Sequence, residues 1–409
     1  MLLKQLFEHD AARRLEIVRR MIATCALFRM VAAIALQTGE CASPLGSCSL
    51  NGACTSGGVC VCDAGWTSSN CSVLDLAPAP AAFNAYETNF SSWGGNAIKD
   101  PSTGHYHLFF SEMALNGLHS FKNVSQLTTA VSLSGLLGPY DVNRTVLRAS
   151  GDGRPISHNV QPQMTADGAI YIFMITSQPT PQQQRDDAPK VPFPLSTIVG
   201  RAPRLGAPFE WATPRLLSSN GTLLLRDNPS AIVYDNGTVL MVTRGTSLFR
   251  AESWRGPYVE LSASLFPCGD NACKVEDPFF WQSKRGFHML MHDHEPFAYH
   301  KQVLTYGYTT DVSAQSGWVF SYIEAANGTE LHFDDGSTRT FCSRQRPQLY
   351  FDALPHDGVQ VGKAIALFSG AQHGPLTDVT SECGNGPAPF NPYDDYSFTF
   401  VQPLGSTPE

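Results

Sequence analysis

Five segments of this chain are written to one plan: a polar residue, often followed by proline, then an apolar run, a glycine turn and a second apolar run. They are WGGNAIKDPSTGHYHLFFSEM from Trp93, SHNVQPQMTADGAIYIFMITS from Ser157, RDNPSAIVYDNGTVLMVTRGT from Arg226, KVEDPFFWQSKRGFHMLMH from Lys274 and RQRPQLYFDALPHDGVQVGKAIALFSG from Arg344. Short apolar runs split by STG, DG, NG or RG are hairpins. No segment sustains a 3.6-residue period, which disfavours a helical solenoid. The copies start about 50 to 70 residues apart, with strand-like runs such as STIVGRAP and QVLTYGYTTD between them. Each copy has room for a four-stranded sheet, so the repeat predicts an all-β fold, a five-bladed β-propeller.

In a propeller the first strand of each blade lines the central channel. The polar residues that open the five copies then converge on one funnel. The expected ring is Asn96, Asn159, Asn228, Asp277 and Arg346, with His158, Asp227 and Glu276 beside it. DDYSFTFVQPL, near the C-terminus, reads as a last strand that closes the ring and leaves no open sheet edge.

Residues 41–71, CASPLGSCSLNGACTSGGVCVCDAGWTSSNC, hold six cysteines in a segment too short to build an apolar core. Six cysteines allow fifteen pairings. The spacing, together with Gly65-Trp66, resembles an EGF-like module. That resemblance implies Cys41–Cys54, Cys48–Cys60 and Cys62–Cys71, and a role as spacer or as a surface for a protein partner. The Asp/Asn-rich calcium signature of the family is missing from QTGE, so no bound calcium is expected. Residues 72–82, with their Ala-Pro alternation, read as a short stiff linker, and the propeller is expected over 83–409.

The chain has a formal charge of −8 and no basic stripe, which argues against a nucleic-acid partner. Residues 1–36 are a basic stretch followed by an apolar run of about sixteen residues broken by Arg29. This fits a signal peptide, or a signal-anchor if uncleaved, in which case alone a membrane is involved. Without Cys25 in that run, ten cysteines remain, an even number that suits an oxidising compartment. Beyond the six, Cys268 with Cys273 and Cys342 with Cys383 are the expected bridges. Seven N-x-Ser/Thr sequons, at Asn70, Asn89, Asn123, Asn143, Asn220, Asn236 and Asn327, complete the expectation of a secreted or lumenal glycoprotein.

WGGNAIKD, NPSAIVYDNGTVLMVTRG, EDPFFW and YSFTFVQPL, set in the repeat, resemble the arabinanase, β-xylosidase and invertase superfamily of five-bladed glycoside hydrolases. The likeness spans roughly residues 83 to 404. It implies a carbohydrate partner and cleavage by channel carboxylates: an early Asp as base or nucleophile, a second Asp that tunes, and a Glu acid. Such chemistry needs two carboxyls across the scissile bond, one protonated and one ionised. Asn96 stands where the first Asp is expected, and Asp100 falls in a hairpin turn.

Asp277, Glu276 and Asp227 are the catalytic candidates. Consecutive strand residues face opposite ways, so one of Asp277 and Glu276 is expected to enter the funnel; Asp277 is favoured because it holds the repeat register of Asn159 and Asn228. Trp93, Asn96, His158, Asn159, Asn228, Arg244, His292 and Arg346 are the ligand-binding candidates, Trp93 for stacking on a sugar and Arg346 for pairing with an acid. His292-Asp-His-Glu has metal-like spacing but specifies no third ligand, so no metal is expected. With no G-x-S-x-G, P-loop or dinucleotide fingerprint, no cofactor is expected either. Two functions stay open: a glycosidase, or a non-catalytic glycan- or protein-binding module with a degenerate site.

Overall fold

A computed structural model describes residues 41, 47–83, 90–114, 118, 121–141, 145–149, 156–177, 194–265, 275–293, 303–313, 317–321, 330–341, 343–372 and 397–405. The N-terminal 1–36 segment and the expected Cys268–Cys273 and Cys342–Cys383 bridges lie outside the described residues. No helix among them is long and apolar enough to cross a membrane.

The five repeats are five antiparallel blades. Blade I is built from Phe90–Lys99, Tyr106–Ala114, Gln126–Ser132 and Thr145–Arg148. Blade II is His158–Met164, Ile170–Ser177, Leu195–Ala202 and Glu210–Ala212. Blade III is Ser230–Val233, Val239–Val242, Leu248–Ala251 and Tyr258–Ser262, extended at its outer edge by Leu216–Leu217 and Leu223–Leu224. Blade IV is Val275–Ser283, Gly286–Asp293, Val303–Thr309 and Val319–Ser321, and blade V is Ser343–Phe351, Ala364–Gln372 and Ser397–Pro403.

Each blade is covered on both faces, so its second strand is buried at consecutive positions and does not alternate; Ile170–Ser177 is buried at every position. Adjacent side chains then serve different seams. Ile172 and Met174 pack towards Ile98, Phe109 and Leu127 of blade I. Phe173 packs towards Ala231, Val239 and Met241 of blade III. Further clusters fill the seams between blades III and IV, IV and V, and V and I.

The polar-proline signature of the repeat has a backbone cause. In blades I, II, IV and V the start of the inner strand is bulged, with two residues facing one. The first bulged residue has positive φ: Gly94 at 57°, Asn159 at 59°, Asp277 at 56° and Arg346 at 58°, with Asn228 of blade III at 51°. Gly, Asn and Asp tolerate this region best. Proline follows in three blades because the bulge needs no ladder N–H there.

Closure between the last and first blades relies on side chains. The C-terminal strand Ser397–Pro403 is the third strand of blade V and lies against blade I. Ser91 and Ser92 hydroxyls accept the Ser397 and Thr399 amides, and Thr399 donates to the Gly94 carbonyl at 2.7 Å. The outer edge of that strand is met by the Ala-Pro segment: Leu76 bridges Leu404, and the Ala77 amide donates to the Pro403 carbonyl.

The cysteine-rich segment carries Cys41–Cys54, Cys48–Cys60 and Cys62–Cys71, the pairing its resemblance implies. It packs into the seam between blades IV and V. Cys48, Leu50, Trp66, Cys71 and Leu74 share one core with Phe279, Trp281, Leu290, Tyr306 and Leu367. Trp66 lies 4.9 Å from the Tyr306 ring and 6.5 Å from Trp281. The Tyr306 hydroxyl donates to the Ser49 carbonyl at 2.7 Å, and Arg285 binds the Leu50 carbonyl and Asp63. At Gly286, φ is 151° and a Cβ would lie 2.3 Å from the Thr309 carbonyl of the next strand, with Leu50 Cδ1 of the cysteine-rich segment at 2.8 Å, so the hairpin itself requires glycine.

Buried His288 completes this junction. Its Nδ1 lies 2.7 Å from the Tyr306 hydroxyl and its Nε2 2.7 Å from the Ser283 hydroxyl. Since Tyr306 spends its proton on Ser49, His288 is the neutral Nδ1–H tautomer, accepting from Ser283. Burial, aided by the charge of Arg285, pushes its pKa down to about 3. The unfolded chain therefore takes up the proton first. Stability is complete above pH ~6.5 and falls as the pH drops towards 3, by up to about 5 kcal/mol from this residue. Urea midpoints measured from pH 7 to pH 4 should show this acid slope, and His288→Gln should flatten it; equal slopes would contradict the assignment.

Candidate functional site

The positive-φ residues of blades II to V turn their side chains towards one another at the channel. Asn159 Nδ2 donates to Asn228 Oδ1, Asn228 Nδ2 donates to Asp277 Oδ1, and Arg346 donates to the same oxygen, each at 2.8 Å. Asp277 Oδ2 lies 3.8 Å from Nδ1 of fully buried His292. The fifth position belongs to Gly94, whose missing side chain leaves room for Arg346; a Cβ there would come within 3.2 Å of Arg346 Cβ. The ring is one amide–carboxylate–guanidinium chain, and Asp277, its one carboxylate, is only 4% exposed.

Asn96 therefore differs from its expected place. It pairs with Phe109 beyond the bulge, two residues past Gly94, in the register of Gln161 and Gln348. Its side chain ties blade I to blade V: Nδ2 donates to the Leu349 carbonyl and Oδ1 accepts the Ala97 amide. Trp93 also departs from its expected role. It is 2% exposed and covers Gly370 of blade V, where an added Cβ would meet the indole at 2.7 Å. It seals a seam and cannot stack on a sugar at the mouth. Asp100 stays in its turn, binding Ser102 and Thr103; those bonds lower its pKa to about 2.

Above the ring stand the residues one position earlier. Asp227 and Glu276 are both part-buried and flank Arg244, which comes from the turn after Val239–Val242. Arg244 makes a close ion pair with Glu276 and lies 3.9 Å from Asp227 Oδ2, while its own side chain is 53% exposed. Arg244 therefore bridges the two carboxylates, pairing with Glu276 and standing near Asp227. His158 lies beside this layer, stacked on Phe121 at 4.4 Å and 2.8 Å from the Ser125 hydroxyl. Ser125 donates to the Ser157 carbonyl, so His158 is also a neutral Nδ1–H tautomer. Burial holds its pKa well below the usual histidine value, and Arg346 adds to the effect.

Arg346 feels burial pulling its pKa down and the charges of Asp277 and Asp227 pulling it back. Its pairing with an acid was legible in the sequence; the glycine that makes room for it was not, since glycine offers no side chain to align. Beside His292, His294 and Glu295 of the metal-like run lie outside the described residues.

No protein-family model and no curated protein sequence matches the chain. Among solved structures it is similar to a family 117 glycoside hydrolase of the marine bacterium Zobellia galactanivorans, with 12% identity over 81% of this chain and 90% of that one and a TM-score of 0.49. It is also similar to an endo-arabinase of Bacteroides thetaiotaomicron, at 11% identity over 81% of this chain and 98% of that one, TM-score 0.43. A family 43 protein of Bacillus licheniformis is matched at 12% identity over 78% of this chain and 54% of that one, TM-score 0.42.

Proposed function

We propose that this is an extracellular carbohydrate-binding propeller that holds a glycan at the channel mouth without cleaving it. One observation carries the reading: the channel ring contains a single carboxylate, and Arg346 and Asn228 already engage it. Hydrolysis needs a free acid and a free base facing the scissile bond, whereas Asp277 is buried and ion-paired. The mouth above it offers carboxylate acceptors at Asp227 and Glu276 and an exposed guanidinium donor at Arg244. A polyhydroxylated ligand needs that mixture of groups. The superfamily resemblance of the repeat supports carbohydrate as the ligand class, as an analogy of fold. Three disulfides support an oxidising compartment.

A second reading is favoured by the two part-buried carboxylates that flank Arg244, Asp227 and Glu276, which would act as an acid–base pair if a substrate displaces the guanidinium. Glycan-array binding by the purified protein and by Arg244→Ala tests the first. Binding should weaken at least tenfold in the variant, the loss of one or two charge-assisted hydrogen bonds. Unchanged binding would remove the mouth from the site.

A further inference from the structure

Beneath the ring the channel is crossed by a second polar layer. Gln161 Nε2 donates to Ser230 Oγ at 2.9 Å, Gln348 Nε2 to the Val160 carbonyl at 2.8 Å, and Asn96 to the Leu349 carbonyl. Below this layer all five inner strands enclose a cavity of about 220 Å³. Its floor is a strap from blade V, residues 352–360, which crosses to blade III. There Asp235 and Asp357 each accept the other's backbone amide, and Gly358 packs on the Tyr234 ring. Val359–Gln360 pairs in parallel with the inner strand of blade IV. The cavity opens beside Lys99, Pro101, Asp352 and Leu354, all exposed, at the end of the channel opposite Arg244.

The walls specify a kind of occupant. Phe173, Phe279, Phe280, Trp281 and Phe351 supply aromatic surface. Lys99 and Asp352, at the rim, are the charged side chains among the lining residues. Gln161, Gln163 and Gln360 also line the space, and the side-chain oxygen of each is buried without a hydrogen-bond partner. Gln161 is itself only 7% exposed. Turning its amide would not help, because the nitrogen would then be the orphan. An apolar enclosure with a few unmet polar groups is the usual build of a small-molecule site, and an engineered apolar cavity of about 150 Å³ already admits benzene.

We propose that this cavity is a binding site for a small neutral molecule with an aromatic or alicyclic body and one hydroxyl or N–H donor. The donor meets a glutamine oxygen, and the ring fills the space between Phe173 and Trp281. This site is separate from the channel mouth and independent of what the mouth binds.

Titrating the full-length protein with phenol, indole and benzene, followed by ligand-observed NMR, tests it. Phenol and indole should bind saturably, and benzene about five- to tenfold more weakly for want of the donor. Ala231→Phe, which fills the space, should abolish binding of all three. Gln161→Leu should reduce the preference for phenol over benzene to less than twofold, which decides the matter should Ala231→Phe not fold. No saturable binding to the wild-type protein, as a water-filled cavity would give, overturns the proposal. So does binding that Gln161→Leu leaves unaltered in both strength and preference.

Discussion

Replacing Asp277 with alanine is expected to cost about 3–5 kcal/mol of stability, because the buried Arg346 guanidinium loses its counter-charge. Asn228 would also lose its acceptor. Arg346→Met alone should be comparably damaging, since it strands the carboxylate. The double variant Asp277→Leu/Arg346→Met should recover much of the loss, because an apolar pair of similar volume avoids both desolvation penalties. Urea unfolding of Asp277→Leu, Arg346→Met and the double variant beside the wild-type protein gives the coupling directly. The sign separates two views of the residue. A carboxylate kept for catalysis in an unsatisfied site is removed at little cost, or with a gain in stability. A carboxylate that closes the channel is not, so an Asp277→Ala loss below about 1 kcal/mol would contradict the structural role.

Trp66→Ala should cost a further about 3–5 kcal/mol, the range for removing a buried indole. Although Trp66 lies in the disulfide-bonded segment, its ring is packed among Trp281, Tyr306 and the end of blade V. The loss should appear as a lowered midpoint of one cooperative transition, because that segment and the propeller share a core. Arg285→Ala is the control for the ion pair with Asp63: both side chains are more than two-fifths exposed, and such a pair contributes at most about 1 kcal/mol. Apolar burial, and not the salt bridge, holds the segment down. Two separate transitions in Trp66→Ala, with the later one at the wild-type midpoint, would show instead that the segment is a detachable appendage.

The blade count was legible because the repeat joins local signals, a polar-proline bulge and a glycine hairpin, that recur at blade spacing. Asn159, Asn228, Asp277 and Arg346 were legible as a ring for the same reason. The first-blade member was not. Alignment by polar side chain selects Asn96, whereas backbone register selects Gly94, and only the pairing of Trp93 with Ser111 and of Asn96 with Phe109 reveals it. Trp93 was misread because its partner, Gly370, lies far away in sequence across the closing seam. The strap had one signal: the fifth repeat is longer between its two apolar runs than the others. That length reads as a loop until it is seen to cross the channel. The Ala-Pro segment is similar, for composition describes a stiff connector and cannot tell which sheet edge it lies beside.

Sugar release measures the central claim most directly. The purified protein, Asp277→Asn and Glu276→Gln should be incubated with arabinan, xylan, fructan and mannoside substrates, and reducing ends and free monosaccharide quantified. A closed ring with one engaged carboxylate predicts no release by any of the three proteins, on any substrate, while glycan binding by the wild-type protein persists. Release by the wild-type protein that disappears in either variant would contradict it, and would make the channel a working active site.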